Sequence, residues 1–152
     1  MMEEDKTIET FSAEDTFELG RRMGEKAHSG EVVCLTGDLG TGKTIFAKGF
    51  AAGLGIDEPV VSPTFTIVQE YYGGRLPLSH FDVYRIADPA EMEETGYDDY
   101  LFGDCVCLIE WAELIEELIP RDSIFVEIAK DPEKGFDYRR VSIRNLSGVP
   151  VI

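Results

Sequence analysis

The sequence predicts a three-layer α/β fold, a mixed sheet with a parallel core and flanking helices. Three observations carry that expectation. The first is Gly37-Asp38-Leu39-Gly40-Thr41-Gly42-Lys43-Thr44, which matches the phosphate-binding loop pattern G-x-x-x-x-G-K-[ST] at every fixed position. It lies between an apolar run, Glu31 to Thr36, that reads as a buried strand, and a segment with Phe46, Gly49, Phe50 and Gly53 at helical spacing. The second is Gly73-Gly74, a hairpin signal between two stretches of strand character, Thr64 to Tyr72 and about Leu76 to Val83. A hairpin after the phosphate-loop helix departs from doubly wound folds, where a helical crossover is expected. The third is Cys105-Val106-Cys107-Leu108-Ile109-Glu110, a continuous apolar run that reads as a buried parallel strand ending in a carboxylate. The expected architecture is P-loop NTPase-like.

In chain order, Thr7 to Thr10 reads as a short strand. Ser12, with an acid three positions on at Asp15, is a helix N-cap. That helix runs to about His28, with Phe17, Gly20, Gly24 and Ala27 on one face, and Ser29-Gly30 ends it. The phosphate-loop helix stops near Gly55, and Pro63 fixes a turn in the segment that follows. Asp88 caps a short acidic helix that Pro89 opens and Gly96 closes. Tyr97 to Phe102 is a turn or a single helical turn. Ala112 to Ile119 reads as an amphipathic helix stopped by Pro120. Asp122 to Ala129 and Tyr138 to Arg144 are closing strands joined by a loop from Lys130 to Phe136. Neither repeat nor linker interrupts the chain, and 152 residues favour one domain over residues 1–152.

Composition narrows the class. The chain is 43% hydrophobic, with 9 Phe, 6 Tyr and 1 Trp, which is enough apolar material for one core. No apolar run approaches the roughly 20 residues of a membrane span. The acidic start, Met1 to Lys6, lacks the basic-then-apolar pattern of a secretion signal, so a cytoplasmic protein without membrane attachment is expected. Cys34, Cys105 and Cys107 sit in apolar runs, fit no zinc spacing and read as small buried hydrophobes in a reducing compartment. The formal net charge of −16 repels nucleic-acid phosphates. Its plainest consequence is solubility; its sharper one is that a partner holds any nucleic acid in the pathway.

The phosphate loop defines the candidate site. Backbone N–H groups of a glycine-rich turn wrap a polyphosphate, and the helix N-terminus adds partial positive charge. Lys43 is placed to reach the β- and γ-phosphates and Thr44 to ligate Mg²⁺. Hydrolysis also needs a second metal anchor and a group that positions water. Glu110 and Asp82 both end apolar runs, so either serves as anchor, and Asp82 also qualifies to orient the attacking water. Ser62-Pro63-Thr64, one helix after the loop, is placed to sense the γ-phosphate as switch loops do. Trp111 reads as a packing residue rather than an adenine platform, because successive strand residues face opposite ways. His28 and His80 show no partner pattern. The acidic run Glu91, Glu93, Glu94, Asp98 and Asp99 reads as a solvated face, with docking of a basic partner as the minority reading.

Four segments occur in a characteristic order: the Gly37–Thr44 loop, Ser62-Pro63-Thr64-Phe65-Thr66, His80-Phe81-Asp82-Val83-Tyr84-Arg85 and Leu108-Ile109-Glu110-Trp111. With them the sequence resembles the TsaE (YjeE) family, the ATPase of bacterial threonylcarbamoyladenosine (t6A) tRNA modification, from about Phe11 to the final strand. The resemblance implies a compact P-loop ATPase with a nonstandard strand order. It implies that Thr44 and Glu110 hold Mg²⁺, that Asp82 lies by the γ-phosphate, and that Ser62 and Thr64 belong to a switch-like loop. It further implies that ATP binding and hydrolysis support a TsaD–TsaB complex. That complex transfers threonylcarbamoyl to adenosine 37 of tRNAs reading codons that start with A, so tRNA is met through the partners. Base and ribose contacts near Ser12, Tyr138 and Arg139 are implied only loosely.

Two other reaction classes compete. A small-molecule kinase would carry an arginine-rich lid, and Arg139-Arg140 is the one basic doublet after the core strand. A GTPase would carry an Asn-Lys-x-Asp segment, which is absent from the sequence.

Overall fold

In the computed structural model, which describes residues 4–38, 40–61, 63 and 66–145, the strands form one seven-stranded sheet. They are β1 (Glu4–Thr10), β2 (Val32–Thr36), β3 (Val68–Tyr71), β4 (Leu78–Asp82), β5 (Val106–Glu110), β6 (Ile124–Lys130) and β7 (Arg139–Asn145). Across the sheet the order is β1-β7-β6-β2-β5-β4-β3. Strands β6, β2, β5 and β4 run parallel, and β7, β1 and β3 join antiparallel at the two edges. Position in the sheet explains the patterning. Every residue of β4 and β5 is buried because layers cover both faces, whereas β6 and β7 alternate.

Helices α1 (Ala13–Lys26) and α2 (Lys43–Gly53) cover one face. Leu19, Met23, Phe46 and Phe50 pack there against Leu35, Leu108 and Val126. The other face carries α3 (Tyr97–Leu101) and two 3₁₀ segments, Pro89–Thr95 and Ala112–Leu118. Met92, Tyr97 and Ile115 pack from that layer onto Cys34, Phe81 and Ile109. The expected three layers are therefore present.

Close packing of α1 on α2 sets where the phosphate-loop helix begins. A β-carbon at Gly24 would lie 2.1 Å from the Phe50 carbonyl oxygen, and one at Gly49 would lie 2.0 Å from that of Phe17. The helices approach backbone to backbone because these glycines remove the intervening side chains. Helix α1 starts as its sequence predicts: Ser12 Oγ accepts the Asp15 N–H at 3.1 Å, and the Asp15 carboxylate accepts the Phe11 N–H at 3.0 Å.

Three elements differ from expectation. The Ala112–Leu118 segment is 3₁₀ rather than an amphipathic α-helix, and Ile115 inside it has φ −126°. Its buried positions, Ala112 and Ile115, are three apart, which suits three residues per turn. The acidic Pro89–Thr95 segment is likewise 3₁₀. Strand β3 starts at Val68 rather than Thr64 because Ile67 takes a left-handed φ of 71°, which an extended ladder cannot continue; Thr64 and Phe65 lie outside the described residues. The β3–β4 hairpin itself is present, with Tyr71 opposite Leu78. Its connection is anchored by the Arg75 guanidinium, which donates to the carbonyls of Gly24, Glu25 and Ala27 at 2.9, 3.0 and 3.1 Å.

Candidate nucleotide site

The strand order brings the site together. The phosphate loop follows β2, Glu110 ends β5, and Asp82 ends β4; these are adjacent parallel strands, with Leu35 opposite Glu110 and Glu110 opposite Asp82. Their carboxyl ends share one edge, where open α/β sheets take ligands. A pocket of about 540 Å³ opens there, and its walls include Gly40, Thr41, Gly42, Lys43, Thr44, Asp82, Glu110, Trp111 and Arg139. Of the site residues expected from sequence, Leu39, Ser62 and Thr64 lie outside the described residues.

The loop is built around its backbone. Gly37 has φ 140°, and a β-carbon on it would come 2.4 Å from the Ile128 carbonyl oxygen, so only glycine fits against β6. Gly42 caps α2 with φ 102°, no side chain among the described residues caps the helix, and its first turn carries no acid. The N-terminal amides and the dipole of α2 therefore face the pocket without competing negative charge from the helix itself. Thr41 Oγ1 donates to the Asp38 carbonyl at 2.9 Å, closing the turn.

Lys43 is buried at 6% exposure. Its ammonium donates to the carbonyls of Gly37 and Asp38, the latter at 3.0 Å, and sits 3.9 Å from the centroid of the Trp111 ring. Burial pulls its pKa below the usual lysine value, against the opposing pull of Glu110, Glu113, Asp82 and Asp38. One cation thus serves a group of carboxylates, and a polyphosphate would add more negative charge to the same space.

Asp82 and Glu110 are buried at 4% and 3% exposure. Asp82 Oδ1 accepts the Tyr84 N–H at 3.0 Å. Glu110 Oε2 lies 2.6 Å from His80 Nε2. The histidine carried no signal in the sequence because its partner is 30 residues away and meets it only through the β4–β5 register. Trp111 has two roles in the structure. Its backbone turns left-handed at φ 63°, ψ 33°; the side chain packs against the layer of Cys34, Phe81 and Ile109, as expected of a packing residue, and it also lines the pocket. Its ring contacts that of Tyr84 with centroids 4.7 Å apart. A left-handed bulky residue is strained by about 1 kcal/mol or more, a cost often met at functional sites.

Arg139 braces the loop from β7. Its guanidinium donates to the carbonyls of Thr41 at 2.7 Å, Tyr138 at 2.7 Å, Phe136 at 2.9 Å and Gly40 at 3.4 Å. Ser12 and Arg139 both line a small recess of about 60 Å³ beside Thr41 and Gly42. Tyr138 is turned elsewhere: its hydroxyl donates to Glu9 at 2.6 Å, and its ring packs on Phe11. The three cysteines are free and buried.

Thr44, Asp82 and Glu110 all line the pocket and offer oxygen donors, the kind a hard cation such as Mg²⁺ takes. Among the described residues no three His, Cys, Asp or Glu side chains gather into a cage. Among the described residues no helix is long and apolar enough to cross a membrane.

Known proteins resemble this chain over most of its length. The profile of the family described as "Threonylcarbamoyl adenosine biosynthesis protein TsaE" matches residues 10–141. The chain is 47% identical over 137 residues to the Bacillus subtilis (strain 168) protein named tRNA threonylcarbamoyladenosine biosynthesis protein TsaE, covering 89% of this chain and 85% of that one. A protein of the same name from Treponema pallidum is 42% identical over 117 residues, covering 77% and 86%. Among solved structures, the crystal structure of Bacillus subtilis YdiB superposes with a TM-score of 0.81 at 40% identity, covering 96% of this chain and 88% of that one.

Proposed function

The chain belongs to the TsaE family, and from that premise we propose that it is a cytoplasmic, Mg²⁺-dependent ATPase subunit of tRNA threonylcarbamoyladenosine biosynthesis. In this reading it binds and hydrolyses ATP in support of a TsaD–TsaB complex that modifies adenosine 37, and is not itself the transferase. The observation that carries the ATPase reading is the meeting of the phosphate loop, Asp82 and Glu110 at neighbouring parallel strand ends around one pocket.

Each group then has a task. The loop amides and the start of α2 receive the β- and γ-phosphates. Phosphate oxygens compete with the Gly37 and Asp38 carbonyls for the Lys43 ammonium, which stabilises charge on the transferring phosphoryl group. Mg²⁺, held by Thr44 and Glu110, would neutralise phosphate charge that the carboxylate-rich pocket cannot accept alone. Asp82 orients the attacking water. The Trp111 ring lies against the Lys43 ammonium and is in turn braced by Tyr84. The net charge of −16 supports a protein that meets tRNA through its partners.

The test is phosphate release from ATP by the purified protein, with and without Mg²⁺, alone and with TsaD and TsaB. Weak Mg²⁺-dependent turnover that rises with the partners is expected. Indifference to the partners, with phosphate delivered to a small molecule, would replace this reading with that of a kinase.

A further inference from the structure

We infer that His80 is a positioning residue for Glu110: its Nε2–H holds one carboxylate oxygen and leaves the other to the pocket. The inference rests on the nucleotide site proposed above. His80 and Glu110 are both inaccessible, at 0% and 4% side-chain exposure, and their Nε2 and Oε2 atoms are 2.6 Å apart. A buried carboxylate needs a hydrogen-bond donor, and among the described residues Glu110 takes this one from His80 rather than from Lys43, whose ammonium is committed to carbonyls.

The other ring nitrogen identifies the proton's place. Among the described residues, His80 Nδ1 is buried and meets no hydrogen-bond partner. A proton there would leave a donor stranded in the core, whereas a bare lone pair is less costly, so an N–H at Nε2 facing Glu110 fits the geometry. The β4–β5 register supplies the geometry. Asp82 lies opposite Glu110, and His80 lies opposite Leu108, one step back on the same face of the sheet. One strand thus carries both the water-orienting acid and the donor that fixes the metal-holding acid on its neighbour. Partners of this kind tune the ligand they hold.

Two substitutions test it. His80→Gln keeps an N–H at the Nε2 position, and His80→Leu removes it. Binding of a fluorescent ATP analogue would be titrated with Mg²⁺ and in EDTA, after circular dichroism has shown each variant folded. His80→Leu is expected to weaken Mg²⁺-dependent binding about 10-fold while leaving binding in EDTA unchanged, and His80→Gln to restore most of the loss. Unchanged Mg²⁺ dependence in His80→Leu, or an equal loss in EDTA, would overturn the inference. A second readout needs no nucleotide: imidazole ¹⁵N spectra of the wild-type protein should show His80 protonated at Nε2, with that resonance shifted in Glu110→Gln. An Nδ1–H tautomer would overturn the inference even if both variants failed to fold. If wild-type binding ignored Mg²⁺, the nucleotide reading would fall, and the ¹⁵N spectrum would still decide whether His80 holds Glu110.

Discussion

Lys43→Ala separates ground-state binding from catalysis, because the structure shows what the ammonium already holds. It donates to two backbone carbonyls and rests on the Trp111 ring. Binding a nucleotide therefore exchanges these acceptors for phosphate oxygens rather than creating contacts from nothing. A hydrogen bond from a charged donor is worth about 1.5–3 kcal/mol, the low end fitting a neutral carbonyl acceptor and the high end an anionic phosphate oxygen. The net ground-state gain is then about 1–2 kcal/mol, a loss of roughly 5- to 30-fold in nucleotide affinity on substitution. The transition state differs, because no carbonyl competes for charge that develops only there. Removing one such preorganised donor costs about 2.7–4 kcal/mol, or 100- to 1,000-fold in kcat. The assay is single-turnover ATP hydrolysis at saturating nucleotide, paired with equilibrium binding. A kcat within tenfold of wild type would refute the assigned role. A variant that lost only affinity would make Lys43 a ground-state binding residue.

The two carboxylates should separate as well. Glu110→Gln is expected to weaken Mg²⁺-dependent nucleotide binding about 10-fold with little effect in EDTA, whereas Asp82→Asn should lower kcat and leave Mg²⁺ dependence in place; the reverse pattern in a metal titration would make Asp82 the anchor. Gly49→Ala places a β-carbon 2.0 Å from the Phe17 carbonyl oxygen, and such overpacking costs about 3 kcal/mol. Thermal denaturation should show a midpoint about 10 °C lower, and an unchanged midpoint would mean that the two helices are not locked together.

Much of this molecule was legible in its sequence, and the reasons are local. A phosphate loop needs glycine backbone, a lysine and a hydroxyl within eight consecutive residues, so Gly37 to Thr44 reveals itself. Helix α1 was readable from Ser12 and Asp15, because a cap acts across three residues. Runs of unbroken apolarity marked β2 and β5 as buried on both faces. The local signals failed where a neighbouring layer decided the conformation. Ala112–Leu118 is 3₁₀ because Ala112 and Ile115 reach one core. Trp111 packs against the expected layer, but its place over Lys43 in the pocket depends on a left-handed backbone turn after Glu110 that no local signal marks.

The sequence by itself determined the fold class, the phosphate-binding loop and the two candidate acids, because each is written in contiguous residues whose chemistry needs no partner. Tertiary structure alone decided what surrounds them: that β5 lies between β2 and β4, that Arg139 braces the loop, and that His80 grips Glu110. Those relations depend on strand order and register, which arise when the whole chain buries its surface together, and a one-residue slip in register would undo them.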